Sequence, residues 1–216
     1  MIDAHYAISP SLLTQEREDF FKSVHNEKIN LIEVSHVEGN TNAMRAEGYS
    51  AGNNPFVCRL DPDDRVIEGA FEVIKDAIKK YPECSAYFTD HYVTGLSEGR
   101  WVKTHLLKYG YAGISRTMHH IVVFNRKAVQ KATEALLKYK TDYLLFLNLA
   151  ALSLSPVCFI NTPQYIWNRK SDGAHVKNSS VCIRRIPYVH RAKLVAKELS
   201  EVGYEFSSKP KLILYR

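Results

Sequence analysis

The sequence lacks the features that mark secreted and membrane proteins. Its four cysteines, at positions 58, 84, 158 and 182, show no C-x-x-C spacing, and two of them lie in apolar, strand-like runs with no obvious disulfide partner. No stretch approaches the roughly 18 apolar residues that a membrane span needs. The start, MIDAHYAISPSLL, has no basic region of a signal peptide. We therefore expect a cytoplasmic protein with reduced thiols, no cleaved signal and no transmembrane segment.

Internal repeats, low-complexity tracts and linkers rich in proline or serine are also missing. The 216 residues are 45% hydrophobic and 24% charged, which is typical of a globular domain that buries about 70% of its unfolded surface. Because no shift in composition divides the chain, the sequence predicts a single domain over residues 1–216.

The net charge of +6 is concentrated near the C-terminus. Residues 167–216 contain eleven Lys or Arg and four Asp or Glu, whereas residues 1–166 contain eighteen and nineteen. This basic C-terminal segment favours an anionic partner such as nucleic acid, a nucleotide diphosphate or acidic lipid head groups. A solvated helix face is an equally good interpretation of the same charges.

Helical and strand-like patterns alternate along the chain. Apolar residues at helical spacing predict helices over residues 15–26, 41–52, 64–81, 126–139, 141–152 and 187–203. Alternating or continuous apolar runs predict strands over 30–37, 55–60, 118–125, 157–161 and 164–169, and a further strand from 85 that ends near Asp90. This order predicts an α/β sandwich with a mostly parallel central sheet flanked by helices, in which ligands bind beyond the carboxyl ends of the strands.

Three carboxylates follow the strand over 55–60 within the four residues DPDD. Two unit charges about 4 Å apart repel by several kcal/mol at an effective dielectric near 20. A divalent cation such as Mg²⁺ or Mn²⁺, itself carrying phosphate oxygens, would offset that cost. The alternative is that Asp61, Asp63 and Asp64 form a turn and cap the next helix, since DPDD is also strong turn chemistry.

The surroundings of this motif resemble a known family. The stretch NAMRAEGYSAGNNPFVCRLDPDDRVIEGAFEVI is similar to the segment of family 2 glycosyltransferases, which have the GT-A fold, that leads to their D-x-D motif. TDYLLFLNLA resembles the family's E-D helix near the acceptor, and PQYIWNRKSDGAHVKNSS resembles its closing segment with a tyrosine, an arginine and a late histidine. The resemblance covers about residues 29–180 in the family's order.

The resemblance implies a GT-A type nucleotide-sugar-binding sandwich that needs Mn²⁺ or Mg²⁺. Such an enzyme moves a sugar from a nucleotide-diphosphate sugar, here most naturally a UDP-sugar, to an acceptor hydroxyl with inversion. Asp63 would be the main metal ligand, Asp61 would meet the ribose, a metal-bound water or the metal, and His175 would complete the metal shell. Asp64 would only cap the helix. A solvated loop residue is the alternative for His175.

Further residues follow from the same resemblance. Arg45 matches an arginine near the nucleotide, although an arginine on a short helix is by default a surface residue. Asp142 matches the general base that takes the acceptor proton, or it is a carboxylate that compensates the helix dipole. Asp90 is a candidate for binding the sugar or, equally, a turn cap. The remaining candidates are Asp3 and Tyr6 for the nucleobase, and Arg169, Lys170 and Lys177 for the leaving diphosphate.

Parts of the sequence depart from the family pattern. The first strand is only MIDAHYAISP, and HVEGNTNAMR stands where the family has an Asp that reads the uracil or ribose, so the base specificity stays open. Thr141 replaces the Glu of the E-D pair.

For the acceptor, the basic segment favours DNA, as in phage enzymes that glycosylate hydroxymethylated pyrimidines in the host cytoplasm. The target base would be flipped out of its stack. Cations of the C-terminal segment would contact the DNA phosphates, and aromatic rings could stack on the flipped base. The cations are Arg184, Arg185, Arg191, Lys193 and Lys197, and the aromatic residues are Tyr165, Trp167 and Tyr188. The alternatives are a glycan or lipid-linked acceptor, or a non-catalytic nucleic-acid-binding module.

Overall fold

The computed structural model describes residues 1–36, 40–95, 100–102, 110–139, 142–169, 187–206 and 209–215. The strands in this part of the chain are β1 (Ile2–Tyr6), β2 (Asn30–Glu33), β3 (Phe56–Arg59), β4 (Arg65–Val66), β5 (Ala86–Gly95), β6 (Arg100–Val102), β7 (Val122–Asn125), β8 (Val157–Arg169) and β9 (Leu212–Tyr215). The helices are α1 (Thr14–Val24), α2 (Thr41–Ser50), α3 (Ala70–Lys80), α4 (Gly110–Thr117), α5 (Arg126–Ala135), α6 (Tyr143–Leu154) and α7 (Tyr188–Glu201). None of these helices combines the length and apolar character that a membrane crossing requires.

All of these strands join one sheet in the order β2-β1-β3-β7-β5-β8-β4, with β6 added to β5 and β9 added to β8. Strands β1, β2, β3, β5, β8 and β9 run in the same direction, and β4, β6 and β7 run against them. The predicted mostly parallel sheet is therefore confirmed. The carboxyl ends of β1, β3, β5 and β8 meet at one edge of the sheet, together with the start of β7.

Helices cover both faces of the sheet, because successive residues of each central strand point to opposite sides. On β3, Val57 belongs to the core that α2, α4, α5, α6 and α7 cover, which also contains Leu147 of α6. Its neighbour Cys58 faces the core under α1 and α3, with Phe20 and Phe71. This arrangement confirms the predicted α/β sandwich and leaves the edge with the carboxyl ends open for a site.

The helix expected over 64–81 begins only at Ala70. Arg65 and Val66 instead pair with β8 as a short antiparallel strand. Gly69 then forms the N-cap in the left-handed region, with a φ of 78°, which a glycine adopts without steric cost. The DPDD motif therefore lies in a loop between β3 and β4 and does not cap a helix.

Two strand predictions also need correction. The separate strands expected at 157–161 and 164–169 are one strand, β8, which pairs with β5 on both sides of a register shift at Asp90. Strand β5 continues to Gly95, so Asp90 lies inside it and not at its end. Strands β6 and β9 and helix α4 had no clear pattern in the sequence.

Candidate active site

Asp61 lies between two arginines at the carboxyl end of β3. Arg45 of α2 approaches one of its carboxylate oxygens at 3.2 Å, and Arg59, the last residue of β3, contacts the other. Burial alone would raise the pKa of Asp61, but the charges of Arg59 and Arg45 outweigh it and hold that pKa below its usual value. Asp61 is therefore an ionised carboxylate whose charge the protein already balances. Arg45 is buried and not on the surface, and its role near the nucleotide stays a prediction.

Asp64 has a different environment from Asp61. It accepts a hydrogen bond from the hydroxyl of Tyr165 at 3.0 Å and another from the backbone N–H of Asn168 at 2.7 Å. Burial raises its pKa well above the usual value, and the charges of Asp61 and Asp63 add to this shift. The expectation that Asp64 caps a helix is wrong: it fastens the loop to β8 and is turned toward Asp61.

His120 completes a group of three side chains that could hold a metal ion. Ligand atoms of Asp61, Asp64 and His120 all lie within 4.8 Å of one another, and this is the one such group in the described part of the chain. The His120 ring stacks on Tyr165 with centroids 5.0 Å apart, and burial lowers its pKa well below the usual value. A neutral imidazole beside two carboxylates is a donor set that suits Mn²⁺ and related divalent ions.

Asp63, which the resemblance suggests as the main metal ligand, is not part of this group. It lines a cleft of about 220 Å³ on the α1 side of the loop, which shares Asp64 with the group. The other residues of that cleft are Glu16, Asp19, Asp64, Arg65, Thr94 and Asn168. The structure therefore places Asp64, and not Asp63, beside Asp61. His175, the other expected ligand, lies outside the described residues.

His120 belongs to a cluster of imidazole and indole rings. The rings of His119 and His120 are 4.0 Å apart, and His91 of β5 lies 5.7 Å from His119. Trp167 of β8 closes the cluster at 5.2 Å from His119. No role was predicted for these histidines, although the adjacent pair within the strand predicted over 118–125 was a visible signal.

Asp142 is exposed and forms the N-cap of α6. Its Oδ1 accepts hydrogen bonds from the backbone N–H groups of Leu144 at 3.1 Å and Leu145 at 3.2 Å. Its Oδ2 has no hydrogen-bond partner among the described residues. Asp142 also lines a cavity of about 310 Å³, with Ser115, Arg116, Met118, His119, Leu144, Leu145, Asn148, Tyr188 and Arg191. A carboxylate with one oxygen fixed by a helix and the other available is suited to accept a proton.

The cavity lined by Asp142 adjoins the group of Asp61, Asp64 and His120. Tyr143, the residue after Asp142, places its ring against both Arg45 and Arg59, with centroid distances of 5.2 Å and 5.4 Å. On the other side, His119 lines the cavity and touches the ring of His120. A molecule bound at Asp61 would therefore lie close to the cavity that Asp142 lines.

Three other candidates do not belong to the group of Asp61, Asp64 and His120. Asp3 is fully buried and bonded to Asn30, Asn54 and Arg126 near the start of β1, so it ties the sheet to its neighbours, and its role at the nucleobase stays a prediction. Tyr6, at the end of β1, donates its hydroxyl to Glu33 at 3.2 Å. Asp90 is fully buried at the irregular position of β5.

The remaining predictions are divided between surface, core and undescribed positions. Lys193 and Lys197 are exposed on α7, and Tyr165 is too deeply buried to stack on a nucleobase. Lys170, Lys177, Arg184, Arg185 and the side chain of Arg169 lie outside the described residues.

Comparison with solved structures identifies the type of fold. No model of a protein family matches the chain, and no curated protein matches it by sequence. Solved structures do match, and they show a GT-A-like glycosyltransferase fold. The first is a structure of S. aureus TarS residues 1–349 in complex with UDP-GlcNAc, with a TM-score of 0.66 and 13% identity over 94% of this chain and 68% of that one.

Two further TarS structures agree with the first. Residues 1–349 of S. aureus TarS give a TM-score of 0.58 at 10% identity, and their complex with UDP gives 0.55 at 11%. Each comparison covers 92% of this chain and 70% of the other. At such low identity the likeness shows the fold alone.

Proposed function

We propose that this protein is a glycosyltransferase that moves a sugar from a nucleotide-diphosphate sugar to an acceptor hydroxyl. The observation that carries the proposal is the convergence of Asp61, Asp64 and His120 within 4.8 Å, at the sheet edge where GT-A-like folds have their site. The complexes of TarS with UDP-GlcNAc and UDP support a UDP-sugar as the donor.

The residues present fit a divalent metal. Asp61, Asp64 and His120 would hold it, and Asp64, whose carboxyl group is close to two other carboxylates, gains most from a cation. When bound, Mn²⁺ or Mg²⁺ supplies Lewis-acid stabilisation of the diphosphate that leaves. Asp63 and His175 stay as predictions from the resemblance, because nothing in the described structure tests their roles.

Arg45 and Arg59 give the same site a second source of positive charge. Both guanidinium groups are directed at Asp61 and are the kind of donor that binds phosphate oxygens in pairs. They would hold the diphosphate near Asp61 and stabilise the charge that develops on it. A transferase that relies on these arginines without a metal is therefore a second candidate.

Asp142 would act as the general base. Its Oδ2 would take the proton of the acceptor hydroxyl while that oxygen forms a bond to the anomeric carbon. The bond from this carbon to the diphosphate breaks at the same time, and UDP leaves from the opposite face with inversion. Tyr143, which follows Asp142 in the chain, contacts both arginines and would link the base to them.

The acceptor is proposed from the charges of α7. A hydroxymethylated pyrimidine in DNA stays a proposal, supported by the exposed cations of α7. A glycan or lipid-linked acceptor is the alternative, and a non-catalytic nucleic-acid-binding module would explain the cations without any transfer. If DNA is the partner, retention on a DNA column should fall steeply as salt rises, whereas a slope near zero would exclude it.

A donor screen tests the proposal directly. The purified 216-residue protein is mixed with UDP-sugars, with and without Mn²⁺, and melting temperature and UDP release are recorded. A donor present at 100 times its dissociation constant should stabilise the fold by about 2.7 kcal/mol. The non-catalytic module predicts no stabilisation and no UDP release with any donor.

A further inference from the structure

His119 lies between the two parts of the candidate site. Its ring centroid is 4.0 Å from that of His120, which belongs to the group with Asp61 and Asp64. It is close enough to Asp61 for an electrostatic interaction between the two side chains. The same histidine lines the cavity that contains Asp142. A molecule that extends from Asp61 to Asp142 would therefore pass His119.

The proposed reaction requires the sugar of the donor to lie in this passage. The diphosphate would be held at Asp61, and the acceptor hydroxyl would lie at Asp142. In a displacement with inversion, the anomeric carbon lies between the leaving oxygen and the attacking oxygen. The sugar ring is then bounded by side chains that stand between these two groups, and His119 and Tyr143 are two of them.

The rings of Trp167 and His91 pack around His119. Their centroids lie 5.2 Å and 5.7 Å from that of the His119 ring. His91 is buried, whereas His119 and Trp167 are half-buried. Aromatic rings that carry a few hydrogen-bonding atoms are typical of the lining of small-molecule sites. An imidazole contributes one donor or acceptor at each ring nitrogen, so this surface can pack against the C–H groups of a sugar ring and bind one of its hydroxyls.

Asn148 ties the backbone before His119 to the helix of the candidate base. Its side-chain nitrogen donates to the carbonyl oxygens of Ser115 at 2.9 Å and of Met118 at 2.7 Å. Asn148 belongs to α6, and Asp142 is the N-cap of that helix. His119 and Asp142 are therefore attached to the same rigid element, which favours a fixed distance between a substrate contact and a base.

We propose that His119 determines sugar specificity by binding a hydroxyl of the pyranose that is transferred, with Trp167 and His91 as the ring layer behind it. This inference rests on the proposed function. His119 takes no part in the bonds that change. The acceptor proton goes to Asp142, the acceptor oxygen binds the anomeric carbon, and the nucleoside diphosphate leaves with the bonding electrons.

The first test compares donors that carry a sugar with UDP, which has none. Affinities for UDP, UDP-glucose, UDP-galactose, UDP-xylose and UDP-N-acetylglucosamine are measured by calorimetry with Mn²⁺ present. His119→Ala should weaken the best UDP-sugar about tenfold and leave UDP unchanged, because a hydrogen bond and ring contacts to the sugar are lost. His25→Ala, which removes an exposed histidine at the end of α1, is the control and should bind as the wild type does. An equal effect on UDP and the UDP-sugar, or none on either, overturns the inference.

The second test separates a sugar contact from an effect on the neighbouring metal group. Binding of Mn²⁺ alone is followed by electron paramagnetic resonance, and the melting temperature is recorded. His119→Ala should bind Mn²⁺ as the wild type does, and a loss of Mn²⁺ binding would assign the effect to His120 and overturn the inference. His119→Gln, which keeps a hydrogen-bonding group in place of the ring, decides the question if the alanine variant does not fold. It should retain UDP and Mn²⁺ binding and change the order of affinities among the four UDP-sugars.

Kinetics distinguish the sugar contact from a role in proton transfer. Once transfer is measured, His119→Gln should change the ratio of kcat/KM by about tenfold or more for at least one pair of these donors, mainly through KM. A fall in kcat with unchanged donor preference would make His119 an acid or base and overturn the inference. UDP-sugar affinity that is indifferent to His119, in a protein that binds UDP, overturns this inference alone. If the wild type binds neither UDP nor a UDP-sugar, the proposed function fails and the inference fails with it.

Discussion

Tyr165 and Asp64 are joined by a hydrogen bond of 3.0 Å from the phenolic hydroxyl to the carboxylate. The same oxygen of Tyr165 accepts the backbone N–H of Asp61 at 3.2 Å. One side chain of β8 therefore holds both ends of the acidic loop. The ring also stacks on His120, so Tyr165 contacts all three residues of the candidate metal group.

Tyr165→Phe should loosen this loop. Loss of the hydroxyl leaves two buried partners unsatisfied, and we expect a fall of about 1–3 kcal/mol in the free energy of unfolding. Mn²⁺-dependent UDP binding should weaken as well. Tyr87→Phe is the control, since it removes a hydrogen bond to Tyr81 remote from the site. Urea unfolding and calorimetry should show a stability loss in both variants but weaker UDP binding in Tyr165→Phe alone.

Asp142→Asn should stop transfer and leave the fold and donor binding intact. Asparagine is as good an N-cap residue as aspartate, so the free energy of unfolding should change little. Loss of the general base should lower kcat by about 10²-fold or more. Measured rates of sugar transfer and UDP affinities check this. Normal turnover would show that another group takes the proton.

Gly48→Ala should destabilise the protein, although alanine is the better helix former by about 1 kcal/mol. A Cβ at this position of α2 would overlap the ring of His5 on β1. Overpacking of this kind costs about 1–3 kcal/mol, and the shift of α2 would move Arg45. Thermal unfolding should show the loss, and His5→Ala in the same chain should restore part of it. A more stable single variant would contradict this packing.

Stability should fall below about pH 6.5, the ordinary pKa of histidine. Burial, with the charges of Arg45 and Arg59, holds the pKa of His5 well below that value in the folded protein. The unfolded chain then takes up a proton that the folded state does not, so this contribution is complete above pH 6.5 and is lost as the pH falls. One such group contributes a slope of up to about 1.4 kcal/mol per pH unit. Urea unfolding of the wild type and His5→Leu between pH 5 and 8 should show a shallower slope in the variant.

The sequence was sufficient to predict the α/β sandwich because hydrophobic periodicity survives in most of its elements. It was also sufficient to mark the loop at Asp61, since a cluster of carboxylates after a buried strand needs an electrostatic explanation. In the structure, the ion pairs of Asp61 with Arg45 and Arg59 offset the repulsion between the carboxylates of this loop. The raised pKa of Asp64, which favours its neutral form, reduces that repulsion further. A metal is one further way to balance it.

The choice between Asp63 and Asp64 could not be made from spacing. It depends on β4, a two-residue strand that pairs with β8 and turns Asp64 toward Tyr165. Strands this short carry no periodicity. His120 was missed for a similar reason: its place beside Asp61 results from the antiparallel pairing of β7 with β3, a contact between distant parts of the chain.

UDP binding measured by calorimetry, with Mn²⁺ and with a chelator, tests the central claim most directly. If Asp61, Asp64 and His120 hold the metal of the donor, wild-type protein and Asp63→Asn should bind UDP at least tenfold more tightly with Mn²⁺. His120→Gln should lose that difference. UDP binding that is equal with and without metal, or a metal effect that persists in His120→Gln and disappears in Asp63→Asn, would contradict this assignment.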